Sequence, residues 1–185
     1  MTFTHDVLHR HRILGATSGL SFTYHDGGEV ATILNASGQG RTFGYDAAGR
    51  LGSVSDDVSG WTAAQTYNPQ GERVKRVESS GGVTTTTYFV GKLYDAQGTS
   101  HNDYIYLGGQ RIVEIRATAE TVGVFYLLND HLGSVNVVTD HTGGFVQRLA
   151  WNPYGELRQA EGQSFSAAFP FAGARRDPGL GLDDF

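Results

Sequence analysis

Short runs of β-branched and aromatic residues, broken by glycine-bearing turns, recur along this chain. Val83–Val90 (VTTTTYFV), Thr121–Leu128 (TVGVFYLL), Ser134–Thr139 (SVNVVT) and Phe145–Trp151 (FVQRLAW) are the clearest. Such side chains suit a pleated, half-buried surface, and several of the runs alternate apolar with polar. In Ser134–Thr139 the alternation sets Val135 and Val137 on one face, Ser134 and Asn136 on the other. Tyr104–Leu107, Gly108-Gly109 and Gln110–Arg116 read as a hairpin with a two-residue turn, because paired glycines supply the positive φ angles such a turn needs. Ser80-Gly81-Gly82 turns a second hairpin between Arg73–Glu78 and Val83–Val90. Over 110–122 the β-branched Ile112, Val113, Ile115, Thr118 and Thr121 favour strand over helix. A strand and a turn every 10 to 12 residues, without helical periodicity, predict an all-β fold, an antiparallel β-meander.

A short unit keeps returning: an aromatic, Asp or Asn, two residues, Gly, one residue, then an apolar or bulky side chain. Its fullest copy is Tyr45-Asp46-Ala47-Ala48-Gly49-Arg50-Leu51. Looser copies begin at Tyr24, Tyr67 and Tyr94, and Trp151-Asn152-Pro153-Tyr154-Gly155-Glu156-Leu157 is another good one. Asn35 to Gly38, Asp130 to Gly133 and Asp140 to Gly143 lack the leading aromatic. Tyr24, Tyr45 and Tyr67 lie 21 and 22 residues apart. The chemistry is that of an Asx-turn: the Asp or Asn oxygen accepts from backbone two residues on, and glycine closes the turn at positive φ.

Composition narrows the class. The 185 residues include 26 glycines, about twice ordinary usage, with 39% hydrophobic and 11% aromatic residues. That is too apolar for a disordered chain and too rich in glycine for a helical bundle. No cysteine is present, which excludes a disulfide framework, a zinc–thiolate site and a thiol nucleophile. A net charge of −5, with Arg73, Lys75 and Arg76 diluted by acids, offers no nucleic-acid surface. No apolar run approaches the roughly 20 residues of a membrane span, and the opening MTFTHDVLHRHRILG has no signal-peptide core.

The ordered motifs resemble the YD-repeat or RHS (rearrangement hotspot) family. Tyr45-Asp46-Ala47-Ala48-Gly49-Arg50-Leu51 is similar to its defining repeat, and Asn129-Asp130-His131-Leu132-Gly133-Ser134 with Val138-Thr139-Asp140 resembles a segment of the RHS repeat-associated core. Trp151-Asn152-Pro153-Tyr154-Gly155 resembles the core's (Y/W)-(D/N)-P-x-G turn, and Phe171-Ala172-Gly173 through Asp177 to Gly181-Leu182 resembles the element that follows. The resemblance covers roughly residues 20 to 185. It implies a segment of a spiralling β-sheet shell that, in toxins of this family, encloses a C-terminal toxin domain. Some members also cut themselves by an aspartate-based reaction at the end of the core. This chain stops at Phe185, before the further acidic element on which that reaction draws.

The organisation expected is an N-terminal lead-in over 1–19, a repeat sheet over 20–160, and a core tail over 161–185 that packs as an extended cap. The residues expected to set the turns are Tyr45, Asp46, Gly49, Asp130, Gly133, Asp140, Gly143, Asn152, Gly155, Asp177 and Gly181. Asp177 is the one candidate catalytic residue, with Asp183 and Asp184 as weaker remnants of a carboxylate pair. His131 and His141 stand beside aspartates in turns but lack a nucleophile partner. Each acidic turn offers too few oxygens for calcium, and His5, His9 and His11 fit a solvated terminus better than a metal site. No cofactor is expected. The aromatic set at 24, 45, 67, 94, 104, 106, 125, 126 and 151 is read as knitting adjacent strands.

The function expected is a structural wall segment for toxin encapsulation, secreted or at the cell surface as part of a toxin system. Its partners would be a C-terminal toxin cargo or a longer RHS protein bound through the sheet edges. Self-association is open to it, because first and last strands expose unpaired backbone groups. The alternatives are a cell-surface adhesion or carbohydrate-binding module, and an aspartyl autoprotease remnant.

Overall fold

The computed structural model describes residues 2–9, 11–177 and 179, together with the backbone of 182–184. Among these residues the architecture is all-β: one sixteen-stranded sheet in which strand order is chain order, and a separate two-stranded sheet. Every neighbouring pair for which a register is given is antiparallel. The chain divides into two compact units, residues 1–88 and 89–185.

The first unit holds β1 (Phe3–His5), β2 (Ile13–Ala16), β3 (Ser21–Tyr24), β4 (Val30–Leu34), β5 (Gly40–Tyr45), β6 (Leu51–Asp56), β7 (Trp61–Tyr67) and β8 (Arg73–Ser80). β9 (Val83–Val90) contains the division between the units. The second unit continues with β10 (Tyr94–Gln97), β11 (Ser100–Leu107), β12 (Gln110–Ala117), β13 (Val122–Asn129), β14 (Val135–Asp140), β15 (Phe145–Trp151) and β16 (Leu157–Gly162), then β17 (Arg175–Asp177) and β18 (Leu182–Asp184).

Turn chemistry explains the meander. The two expected Gly-Gly hairpins are present: Ser80 faces Val83 and Leu107 faces Gln110, as two-residue turns with both glycines at positive φ allow. The Asx-turns share one geometry. Asp46 Oδ1 accepts from the amides of Ala48 and Arg50 at 2.9 Å each, while the Gly49 amide donates to the Asp46 carbonyl. Gly49 closes this turn at φ +74°, where an L side chain is disfavoured. Asp130 and Asp140 repeat the pattern with Leu132 and Ser134, and with Thr142 and Gly144. Asn152 keeps the backbone half of it, with the Gly155 amide on its carbonyl.

Six of the motif turns are followed by a β-bulge, whereas the Asn35 turn keeps its register. The residue that leads a motif faces the residue six positions on: Tyr24 with Val30, Tyr45 with Leu51, Tyr67 with Arg73, Asn129 with Val135, Thr139 with Phe145 and Trp151 with Leu157. The next residue (Ala31, Gly52, Val74, Asn136, Val146 or Arg158) has no opposite number. An extra residue shifts the pleat by one and adds local twist. This corrects the alternation expected in Ser134–Thr139. Because Asn136 is the inserted residue, Val135 and Val138 are the fully buried pair, and Val137 stays partly exposed.

The first unit buries little apolar surface: Phe43, Val54 and Ala63 stand opposite one another across β5, β6 and β7. The second has a larger core of Leu127, Val135, Val138, Val146 and Leu149, with Phe165 and Ala167 from the segment after β16 packed onto it.

Candidate functional site

The leading residues of the motifs do more than mark turns. Tyr24 Oη donates to the Ile13 carbonyl at 2.8 Å, Tyr45 Oη to Val30 at 3.1 Å and Tyr67 Oη to Leu51 at 2.9 Å. In the second unit Asn129 Nδ2 donates to the Arg111 carbonyl at 2.6 Å and Trp151 Nε1 to Val135 at 2.8 Å. In all five cases the acceptor faces the residue on the turn side of the preceding hairpin's register shift: His5, Tyr24, Tyr45, Tyr106 and Asn129 respectively, of which Tyr24, Tyr45 and Asn129 lead motifs. The motifs therefore hook hairpin to hairpin. Ring faces are engaged too, with the Arg12 guanidinium over Tyr24 and that of Arg50 over Tyr67. Asn129 leads a copy without an aromatic, yet its amide does the same work as the tyrosine hydroxyls.

Two of the turn carboxylates, Asp46 and Asp140, are held ionised by their own loops. The Arg50 amide, then the Arg50 guanidinium and the Ala48 amide, hold Asp46 below the usual value of 3.8. The Thr142 hydroxyl and amide and the Gly144 amide do so for Asp140.

Past β16 the chain runs over the sheet of the second unit, and three arginines fasten it there. From β12, Arg111 Nη2 donates to the Phe169 carbonyl at 2.8 Å and Arg116 Nη2 to the Ser166 carbonyl at 2.6 Å. Both guanidiniums also lie over tail rings, Arg111 over Phe169 and Arg116 over Phe165, the latter at 3.8 Å. From the tail, Arg175 Nη1 reaches Asp95 Oδ2 at 2.6 Å and lies over Phe89 and Phe169. Asp95 also accepts from Asn102 Nδ2 at 2.8 Å and from Tyr104 Oη at 2.7 Å. Burial first, and Asp95 second, push the Tyr104 hydroxyl far above the ordinary tyrosine range. Between Arg111 and Arg116, the fully buried Glu114 takes two bonds from Arg116 on Oε1. The tail backbone adds the Pro170 carbonyl on the Val135 amide, and the Ala172 amide on Ser134 Oγ.

Two positions differ from the sequence expectation. Asp95, in a loose copy of the turn motif, opens no turn. It lies in β10, 7% exposed, as the acceptor hub for the tail. Asp177 lies within β17, facing Leu182, and is 2% exposed. Gly181 and the side chains of Asp183 and Asp184 fall outside the described residues. His9 and His11 meet edge to face, and His131 stands at the rim of a cleft considered below. Among the described residues no three His, Cys, Asp or Glu side chains converge as a metal site. Tyr104 of the aromatic set is buried and most of its other members are half-buried, whereas Tyr126 is exposed.

Comparison with known proteins agrees with this geometry. Over 143 residues the chain is 27% identical to teneurin-1 of Gallus gallus, an alignment spanning 73% of this chain and 5% of that protein. Among solved structures, a TcdB2–TccC3–TEV crystal structure superposes with a TM-score of 0.66 at 13% identity, covering 89% of this chain and 11% of that one. The Photorhabdus luminescens Tc holotoxin pore gives 0.64 at 14% identity, covering 89% of this chain and 11% of that one. At such identities the likeness is one of fold. Residues 82–185 match the Teneurin YD-shell family, and the chain belongs to that family of YD-repeat shell domains.

Proposed function

We propose that this chain is a wall segment of a shell whose enclosed cargo is a C-terminal toxin domain, and that no residue in it turns over a substrate. The observation that carries the reading is the hook series. The hydroxyl or ring N–H of Tyr24, Tyr45, Tyr67 and Trp151, and the amide of Asn129, are spent on the carbonyls of preceding hairpins. The motif residues Asp46, Asp130, Asp140 and Asn152, with Gly49, Gly133, Gly143 and Gly155, set the turns between those hooks. Residues 20–160 are the repeat wall, 1–19 its lead-in, and 161–185 a tail that closes over it. The setting is a secreted or cell-surface toxin system, and the sheet edges meet neighbouring strands of a longer protein or of a second copy.

Limited proteolysis of the intact natural gene product, read by mass spectrometry, tests the container reading. A segment outside residues 1–185 that survives protease until the strands themselves are cut supports it. The absence of any such segment, or one digested as fast as in a denatured control, overturns it. The autoprotease alternative is separated by intact mass after prolonged incubation, compared with Asp177→Asn: a cleaved wild type and an uncut variant support it.

A further inference from the structure

In the second unit, the turns at Gly108-Gly109, His131–Gly133 and Ala172-Gly173 surround a cleft of roughly 310 Å³, at the small end of ligand sites. Among the described residues its lining contains Lys92, Arg111 and His131 and no carboxylate, although the chain as a whole carries a net charge of −5. Lys92 and His131 are exposed at the rim, while Arg111 is 6% exposed. Arg111 spends Nη2 on the Phe169 carbonyl, but among the described residues its Nε and Nη1 have no hydrogen-bond partner. Its ion-pair partner is Glu114 Oε2, 3.7 Å from Nη1 and likewise without a hydrogen-bond partner among the described residues. These atoms are closed to solvent, so Arg111 acts on the cleft through its charge, and an anion there takes its direct, charge-assisted bonds from the exposed side chains at the rim. Gly108, Gly109 and Gly173 have open space where a Cβ would stand, so the rim is bare backbone that a small ligand can approach closely.

We propose that this cleft is a binding site for a small oxyanion, a phosphoryl or carboxylate group, attracted by the buried charge of Arg111 at its floor and held by Lys92 and His131 at its mouth. The class follows from the donors. Planar and point-charge cations line it, and among the described residues no carboxylate lines it to bind a metal. The proposal stands apart from the wall function, since nothing in the hook series uses these three side chains.

The test is a ¹H–¹⁵N titration of the 185-residue chain with inorganic phosphate and, separately, acetate, each at constant ionic strength against a chloride blank. Saturable shifts at the amides of Gly108, Gly109, His131, Leu132 and Gly173 are expected. Saturation by phosphate alone assigns a phosphoryl ligand, by acetate alone a carboxylate, and by both the shared chemistry; each supports the site. Lys92→Ala and His131→Ala, both on exposed side chains, each weaken binding about fivefold, the upper range for a solvent-facing charge contact. Arg148→Ala, a surface charge outside the cleft lining, leaves the affinity unchanged. The proposal is overturned if neither anion saturates, if chloride produces the same shifts, or if Arg148→Ala weakens binding as much as Lys92→Ala.

Discussion

Replacing Arg175 with Met removes the charge that anchors the tail while keeping most of the side chain's bulk over Phe89 and Phe169. Its partner Asp95 is 7% exposed and would keep only the neutral donors Asn102 and Tyr104. Breaking a buried ion pair from one side leaves an uncompensated charge, a loss of about 3–5 kcal/mol. The readout is built in, because Trp151 packs against Phe171 of the tail, with ring centroids 6.0 Å apart. In a Trp61→Phe background Trp151 is the sole indole, so urea unfolding followed by its fluorescence reports the second unit. With a denaturant slope of roughly 1.5 kcal/mol per M, Arg175→Met lowers the midpoint by roughly 2–3 M. Asp95→Asn costs a similar amount from the other side, and the double variant costs less than the sum, with a coupling of about 2 kcal/mol or more. A midpoint change below roughly 0.5 M for Arg175→Met, or strictly additive costs, would refute the claim that this pair holds the tail.

Tyr45→Phe and Tyr67→Phe each remove one hook and lower the stability of the first unit by about 0.5–1.5 kcal/mol. Read through Trp61 in a Trp151→Phe background, the two losses add within about 0.5 kcal/mol, because the bonds lie in successive hairpins. Gly49→Ala forces a methyl-bearing residue to φ +74° and costs about 1–2 kcal/mol. Gly162→Ala costs more, since at φ +97° its methyl also runs into the Val146 carbonyl oxygen; equal losses at the two sites would contradict the packing given for β16. Asp46, Asp56 and Asp140 all titrate below 3.8 in the folded chain. The unfolded chain therefore takes up protons first as pH falls. Their contribution is complete above pH 3.8 and is lost as pH drops through the folded values, so melting temperatures are flat near neutrality and decline below that point. Asp46→Asn makes the acid decline shallower; an unchanged slope would show that the turn carboxylates do not matter to it.

The turns were legible because their chemistry is local. Asp46, two spacer residues and Gly49 need only one another, so the motif announces an Asx-turn without reference to the rest of the chain. The bulges were not. Nothing in SVNVVT says that Asn136 is inserted, and the fault appears only when β13 supplies the facing register, which exchanges Val137 for Val138 in the core. The role of Asp95 is hidden for the same reason. It sits in a passable copy of the repeat, but its partner Arg175 is 80 residues away, and no short-range pattern encodes such a pairing. The arginines on the tail, Arg111 to Phe169 across 58 residues and Arg116 to Ser166 across 50, were equally out of reach. What sequence did supply there was the expectation of an extended cap, from loss of the strand period after Gly162.

The hooks also explain how a chain with so small a core in its first unit can hold a long meander. An isolated hairpin is marginal in water, and a sheet gains stability only as strands are added to a shared face. Here five hairpins each bring an aromatic or amide group to the place in the predecessor where a bulge has interrupted the ladder, and satisfy a carbonyl beside that fault. The bulge twists the sheet and the hook repairs the bond pattern at the cost of one side chain. A repeat built this way extends by nearest-neighbour steps, so its length is set by the number of copies and not by the volume of a core. That is the requirement for a wall, and it accounts for why the tail, which must instead be fixed at one place, relies on Asp95, Glu114 and three arginines that belong to no repeat.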